Sequence, residues 1–253
     1  MLWDWVPAAS PGTNTRGMMS RQNAITIVCS PRQRVGKTLI ARALTEFILA
    51  DSRAAIAFDL NPNNAALYGF LPRNTARADI DSTRGQMALF DELIAEDEVA
   101  KVIDLGDQAF DKFFTLLSQI GLAEEAQQRG IDVVTLFIGD PDPRSAKSYA
   151  HVQSALPLMK LVPVHNEFVA NMQDYMDDFP SPAPGERPVR FPVLSPFLKS
   201  VVDRPGFSFD DYLDRHAGER TELHEWIERA FVEFRELELR LLLRELRSAL
   251  TVR

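Results

Sequence analysis

Ala24-Ile25-Thr26-Ile27-Val28-Cys29-Ser30-Pro31-Arg32-Gln33-Arg34-Val35-Gly36-Lys37-Thr38 is an apolar, β-branched run, a short polar loop and then Gly-Lys-Thr. Leu39-Ile40-Ala41-Arg42-Ala43-Leu44 follows and opens a helical pattern. The first run predicts a strand buried on both faces. Strand, loop ending in Gly-Lys-Thr, and helix are the context in which a loop can cradle phosphate. The start of a helix presents unpaired N–H groups and the positive end of its dipole to an anion. On that reading Arg34, Val35, Gly36, Lys37, Thr38 and Leu39 form the cradle. Lys37 reaches the β- and γ-phosphates, and the Thr38 hydroxyl binds Mg²⁺. The competing reading is a plain strand-to-helix turn that happens to spell Gly-Lys-Thr.

Outward from this stretch, the same alternation recurs. A helix over about 37–50 leads to a second buried strand, Arg53 to Leu60, which ends Asp59-Leu60-Asn61-Pro62. Leu67 to Pro72 reads as a turn with apolar anchors, and 76–85 as a polar, irregular stretch. Met87 to Ile94 has the spacing of a short amphipathic helix. Val99 to Asp107 holds a third strand that ends in Asp104, with Asp107 and Gln108 just beyond. Phe110 to Gln127 has helical spacing, Ile131 to Ile138 is a fourth strand, Ser145 to Leu156 a helix, and Met159 to Asn166 a fifth strand. Phe191 to Pro196 predicts an edge strand, because proline cannot serve a central ladder. Strands alternating with helices predict an α/β fold: a mostly parallel twisted sheet with helices on both faces, in three layers. Ligands of such sheets bind outside the carboxyl ends of the strands. The loop, Asp59, Asp104 and Asn166 all fall there.

The loop resembles the deviant Walker A motif of the MinD/ParA superfamily of P-loop ATPases, Lys-Gly-Gly-x-Gly-Lys-Thr. Val35, Gly36, Lys37 and Thr38 match, Arg32 stands for the signature lysine, and Gln33 and Arg34 replace two glycines. The superfamily's Asp-x-Asp-Pro is matched at Asp59 and Pro62, with Asn61 in place of the second aspartate. The resemblance runs in order of elements from about Ala24 to Val202; a narrower likeness is to conjugal-transfer proteins of the TraL type. It implies a P-loop domain over 23–220 that binds ATP with Mg²⁺. Thr38, Asp59 and Asp104 lie near the metal, Asn166 at the adenine, and Lys37, Arg32, Asp59 and Asn61 at the reacting phosphate. Arg32 then reaches across a homodimer. An amide at 61 cannot accept a proton as a carboxylate can, so turnover is slow or absent. The implied roles are positioning, partition or plasmid transfer through nucleotide-dependent dimerisation. The alternative is a scaffold that kept the fold, lost the nucleotide and binds a protein partner. A small-molecule P-loop kinase is the weakest reading, since no lid-type arginine cluster is visible.

The chain has 253 residues, is 45% hydrophobic and 25% charged, and carries a net charge of −8. That suits one sizeable core with an appendage. It argues against a basic nucleic-acid surface over the whole molecule, leaving only a local patch. The single cysteine, Cys29, allows no internal disulfide and predicts a reducing, cytoplasmic compartment. Residues 1–22 read as a disordered leader, with Met18 or Met19 as an alternative start. Residues 221–253 predict one long amphipathic helix with Leu223, Ile227, Ala230, Phe234, Leu237 and Leu241 in steps of four and three. It packs on the domain, contacts another subunit, or lies on a membrane surface. The glutamates among its arginines weigh against the last.

Overall fold

The computed structural model describes residues 24–169, 176–180 and 187–251, and every structural statement below concerns these. The leader expected over 1–22 lies outside them. Seven strands form one sheet: β1 (Ala24–Cys29), β2 (Ala55–Leu60), β3 (Thr75–Arg77), β4 (Ala100–Leu105), β5 (Asp132–Ile138), β6 (Lys160–Asn166) and β7 (Val189–Phe191). Their order is β3-β2-β4-β1-β5-β6-β7, and every pair is parallel.

The strands are apolar on both sides because both sides are covered. Ile25, Ile27 and Cys29 of β1 face one layer, and Val28 faces the other. The first layer is built from α3 (Thr83–Leu93), α4 (Phe110–Ile120), α5 (Leu122–Gln128) and α6 (Pro143–Ala155). The second holds α1 (Lys37–Ala50), the short α2 (Ala66–Phe70), α7 (Pro196–Val202), α8 (Phe209–Arg215) and α9 (Glu222–Thr251).

The α9 row Leu223, Ile227, Ala230, Phe234, Leu237 and Leu241 is buried in the same core as α1. Phe234 meets Phe47 at 5.7 Å between ring centres. The helix begins where the Thr221 hydroxyl accepts from the His224 N–H at 3.1 Å, an N-cap bond. Arg42, on α1, is buried beside this layer. Its guanidinium donates to Glu46 at 3.0 Å, to the Val202 carbonyl at 2.8 Å and to the Phe207 carbonyl at 2.5 Å. Phe70, Phe207 and Phe209 pack against it. A buried cation is tolerable only with this degree of pairing.

Four local expectations need correction. The region over 65–85 holds α2 and β3, where a turn and an irregular polar stretch were expected. Ala76 and Ile80 are buried there. Three residues are too few to display an alternation in sequence. The helix of 87–94 starts earlier, at Thr83, because Ser82 caps it through the Gly85 N–H at 3.1 Å. The single helix over 110–127 breaks at Gly121, which takes φ 65° and separates α4 from α5. The edge strand ends at Phe191, where Pro192 removes the next donor, and Pro196 instead opens α7.

Candidate functional site

Register brings the candidates together. Val28 of β1 and Asp59 of β2 are both partners of Asp104 on β4, so the loop after β1 and the two aspartates share one end of the sheet. The loop turns into α1 through two left-handed residues, Arg34 at φ 60° and Gly36 at φ 90°. Arg34 takes this conformation at a position where the superfamily motif has glycine, at a cost of about 1 kcal/mol. Its side chain is exposed. Val35 is buried and Leu39 packs half-buried against the same core, so both offer the site only their backbone. Gly36 stands at the N-cap with no side-chain cap bond. The first-turn N–H groups of α1 therefore remain available to an outside acceptor.

Lys37 is buried and folds back across the loop. Its ammonium donates to the Arg32 carbonyl and lies 3.9 Å from Asp107. Burial pulls its pKa below the ordinary lysine range, with Asp107 and Asp104 opposing. Thr38 Oγ1 donates to Asp104 Oδ2 at 2.7 Å. The same oxygen receives the Asn61 amide at 3.2 Å, and Asn61 also donates to Asp59 Oδ1 at 2.9 Å. Asp59 Oδ2 accepts the Tyr68 N–H at 3.1 Å. Asn61 is thus a donor bridging two carboxylates. A Cβ on Gly106 would meet its Oδ1 at 2.6 Å, so glycine there makes room for the bridge.

Asp104 is fully buried, and its Oδ1 has no hydrogen-bond partner. Desolvation pushes its pKa up to about 7, with Thr38 opposing and Asp59 adding to the rise. A folded carboxyl with a raised pKa binds more protons than the unfolded chain, so stability falls as pH rises between the unfolded value near 4 and about 7. Asp104→Asn is expected to remove that part of the decline. Urea melts of both proteins at steps from pH 4.5 to 8 check this; parallel curves would contradict it. Asn61→Asp would set a third carboxylate beside Asp59 and Asp104 and delete the shared donor. We expect a loss of about 1–3 kcal/mol at pH 7.5, shrinking at pH 5.

Arg32 ion-pairs with Asp142 at 3.0 Å and approaches Asp140 at 4.0 Å within its own chain. Gln33 donates to Asp107 at 3.0 Å. Asn166, buried at the end of β6, donates from Nδ2 to the Val35 carbonyl at 2.9 Å and accepts the Phe168 N–H at 3.1 Å. The resemblance places it at adenine; in the structure its Nδ2 braces the loop, while its Oδ1 closes a turn two residues on in its own segment. A Cβ on Gly36 would approach its Nδ2 to 2.7 Å. Asn166→Ala leaves the Val35 carbonyl without its donor, and a loss of about 1–3 kcal/mol in denaturant melts is expected.

The sequence reading missed the Asp140–Asp142 pair that holds Arg32. Its signal was present: Asp140-Pro141-Asp142-Pro143 ends β5 as Asp59-Leu60-Asn61-Pro62 ends β2. In both, the first aspartate accepts the N–H two residues on, at 2.8 and 3.1 Å. Among the described residues no group of three or more His, Cys, Asp or Glu is placed to hold a metal ion. No helix among them is long and apolar enough to cross a membrane. Comparison with known proteins finds no matching family model and no matching curated protein.

Proposed function

We propose that the chain is a MinD/ParA-like P-loop protein that binds ATP with Mg²⁺ and works as a switch, with slow or no hydrolysis. The observation that carries this reading is the Thr38–Asp104 hydrogen bond, 2.7 Å long, beside the uncapped start of α1. A hydroxyl and a carboxylate so joined, with a spare buried carboxylate oxygen and a nearby ammonium, suit a metal–phosphate group. Residues 34–39 would hold the phosphates through backbone N–H groups, Lys37 by charge, and Thr38 with Asp104 the metal. Bound Mg²⁺ would neutralise phosphate charge and polarise the terminal phosphoryl group.

The chain's own residues bound the rest. The Lys37 ammonium must leave the Arg32 carbonyl to reach a phosphate. Asn61 offers Asp59 and Asp104 a donor and cannot take a proton from water, which supports slow turnover. Arg32 would have to leave Asp142 to enter a partner's site across a nucleotide-favoured homodimer. A cytoplasmic role in positioning, partition or plasmid transfer belongs to the same proposal.

The second reading is the nucleotide-free scaffold that binds a protein partner. It is favoured by the internal pairing of Lys37, Gln33 and Arg32, which occupies the loop's polar groups in cis. Calorimetric titration of the full chain with ATP separates the two. A saturable isotherm that requires Mg²⁺ supports the switch; no heat up to millimolar ATP supports the scaffold.

A further inference from the structure

Every polar side chain from 32 to 38 is engaged within the chain except one. Arg32 pairs with Asp142 at 3.0 Å, Gln33 donates to Asp107 at 3.0 Å, Lys37 donates to the Arg32 carbonyl, and Thr38 donates to Asp104 at 2.7 Å. The Arg34 guanidinium has no hydrogen bond, ion pair or ring contact among the described residues, and the side chain is exposed. Its backbone is nonetheless held at φ 60°, in the left-handed region that an L side chain enters only at a cost. Glycine would take that conformation freely. The fold therefore holds strain at 34 for a side chain that engages no polar or aromatic group in it. Strain that no contact offsets is found at ligand clamps.

Charge says which part of a ligand it would meet. Asp59, Asp104 and Asp107 lie at this end of the sheet, and Asp140 and Asp142 stand beside Arg32. The other two cations of the turn are already matched, Arg32 by Asp142 and the buried Lys37 by Asp107 at 3.9 Å. Arg34 is the uncompensated positive charge, two residues before Gly36 and the uncapped start of α1. Asp104 Oδ1, buried without a partner, is a second unmet group at the same place. An anion seated on this turn sits among carboxylates, and each further phosphate raises the need for a cation not already neutralised. We infer that the Arg34 guanidinium folds over the turn and binds the terminal phosphate of a nucleoside triphosphate held in its own loop, so that the loop distinguishes a triphosphate from a diphosphate. The inference rests on the nucleotide reading above.

The test is calorimetry of the full chain, Arg34→Gly and Arg34→Lys with ATP and with ADP, both in Mg²⁺, beside thermal melts of the same samples without nucleotide. Arg34→Gly is expected to weaken ATP about tenfold or more and ADP less than about threefold. It should melt no lower than the wild type, because glycine relieves the left-handed strain. Arg34→Lys keeps the charge without the planar fork and should recover part of the lost ATP affinity. Unchanged ATP binding by Arg34→Gly, or equal losses for ATP and ADP, overturns the inference and leaves the nucleotide reading standing. An Arg34→Gly protein that melts several degrees lower overturns it too, since the side chain then serves the fold. A loss of ATP affinity confined to protein concentrations at which the wild type sediments as a dimer would assign Arg34 to a partner's nucleotide and overturn the placement in its own loop. A wild type that binds neither nucleotide fails the nucleotide reading itself, and the inference with it.

Discussion

Replacing Arg42 by alanine is expected to destabilise the protein by about 3–5 kcal/mol, lowering its melting temperature by roughly 10 °C. Arg42 is buried and serves Glu46 and the carbonyls of Val202 and Phe207 at once. Alanine would leave two carbonyls unmet and a buried carboxylate without its cation. It would also strip Phe70, Phe207 and Phe209 of the guanidinium they pack against. Glu46 is already held above the ordinary glutamate range by burial, with Arg42 as the first opposing influence. Without Arg42 its pKa rises further, so the folded state binds an additional proton over a wider range. The destabilisation should therefore grow as pH rises and shrink in acid. Arg42→Met with Glu46→Gln is expected to recover part of the loss. The double variant removes both charges and keeps the acceptor for the Phe209 N–H, which now lies 2.6 Å from Glu46. A melt within a degree or two of wild type for Arg42→Ala would show that the network is not what joins α1 to the segment between α7 and α8.

The second large effect concerns binding and not stability. Lys37→Ala is expected to weaken Mg²⁺-dependent ATP binding by about 100-fold or more, since a charge-assisted contact to phosphate is lost from a buried site. Stability should move little. Lys37 is paired with the Arg32 carbonyl and Asp107, but burial works against its charged form, and alanine relieves that penalty. Calorimetry and a thermal melt on the same sample check both halves. A variant that melts early and still binds ATP would make Lys37 a structural lysine and remove its role at the phosphates.

Much of the fold could be read from the sequence because it rests on long, continuous apolar runs. β1, β4, β5 and β6 are buried on both faces, and such runs stand out within a residue of their ends. Short elements were not legible. β3 has three residues and acquires its identity from pairing with Ala57 to Asp59, which no local pattern encodes. The break at Gly121 turned on one left-handed residue inside a helical pattern. At the candidate site, the strand-end aspartates could be located by order, because register carries them to one level. Their partners could not. Whether Asn61 donates to Asp104 or faces solvent depends on the backbone of Gly106, which lies 45 positions away and leaves room for it. Asn166 shows the same limit: its place at the end of β6 was legible, but its bond to the Val35 carbonyl depends on a loop 131 residues earlier.

The central claim is that the turn into α1 still holds the phosphates of a nucleotide despite its bulky side chains. A crystal of the full chain soaked with ATP and Mg²⁺ tests it most directly. The account predicts phosphate density against the backbone of Gly36, Lys37 and Thr38, with the Lys37 ammonium moved from the Arg32 carbonyl onto it. An ATP-soaked crystal with Lys37 still on that carbonyl, and no phosphate density at the turn, would contradict it.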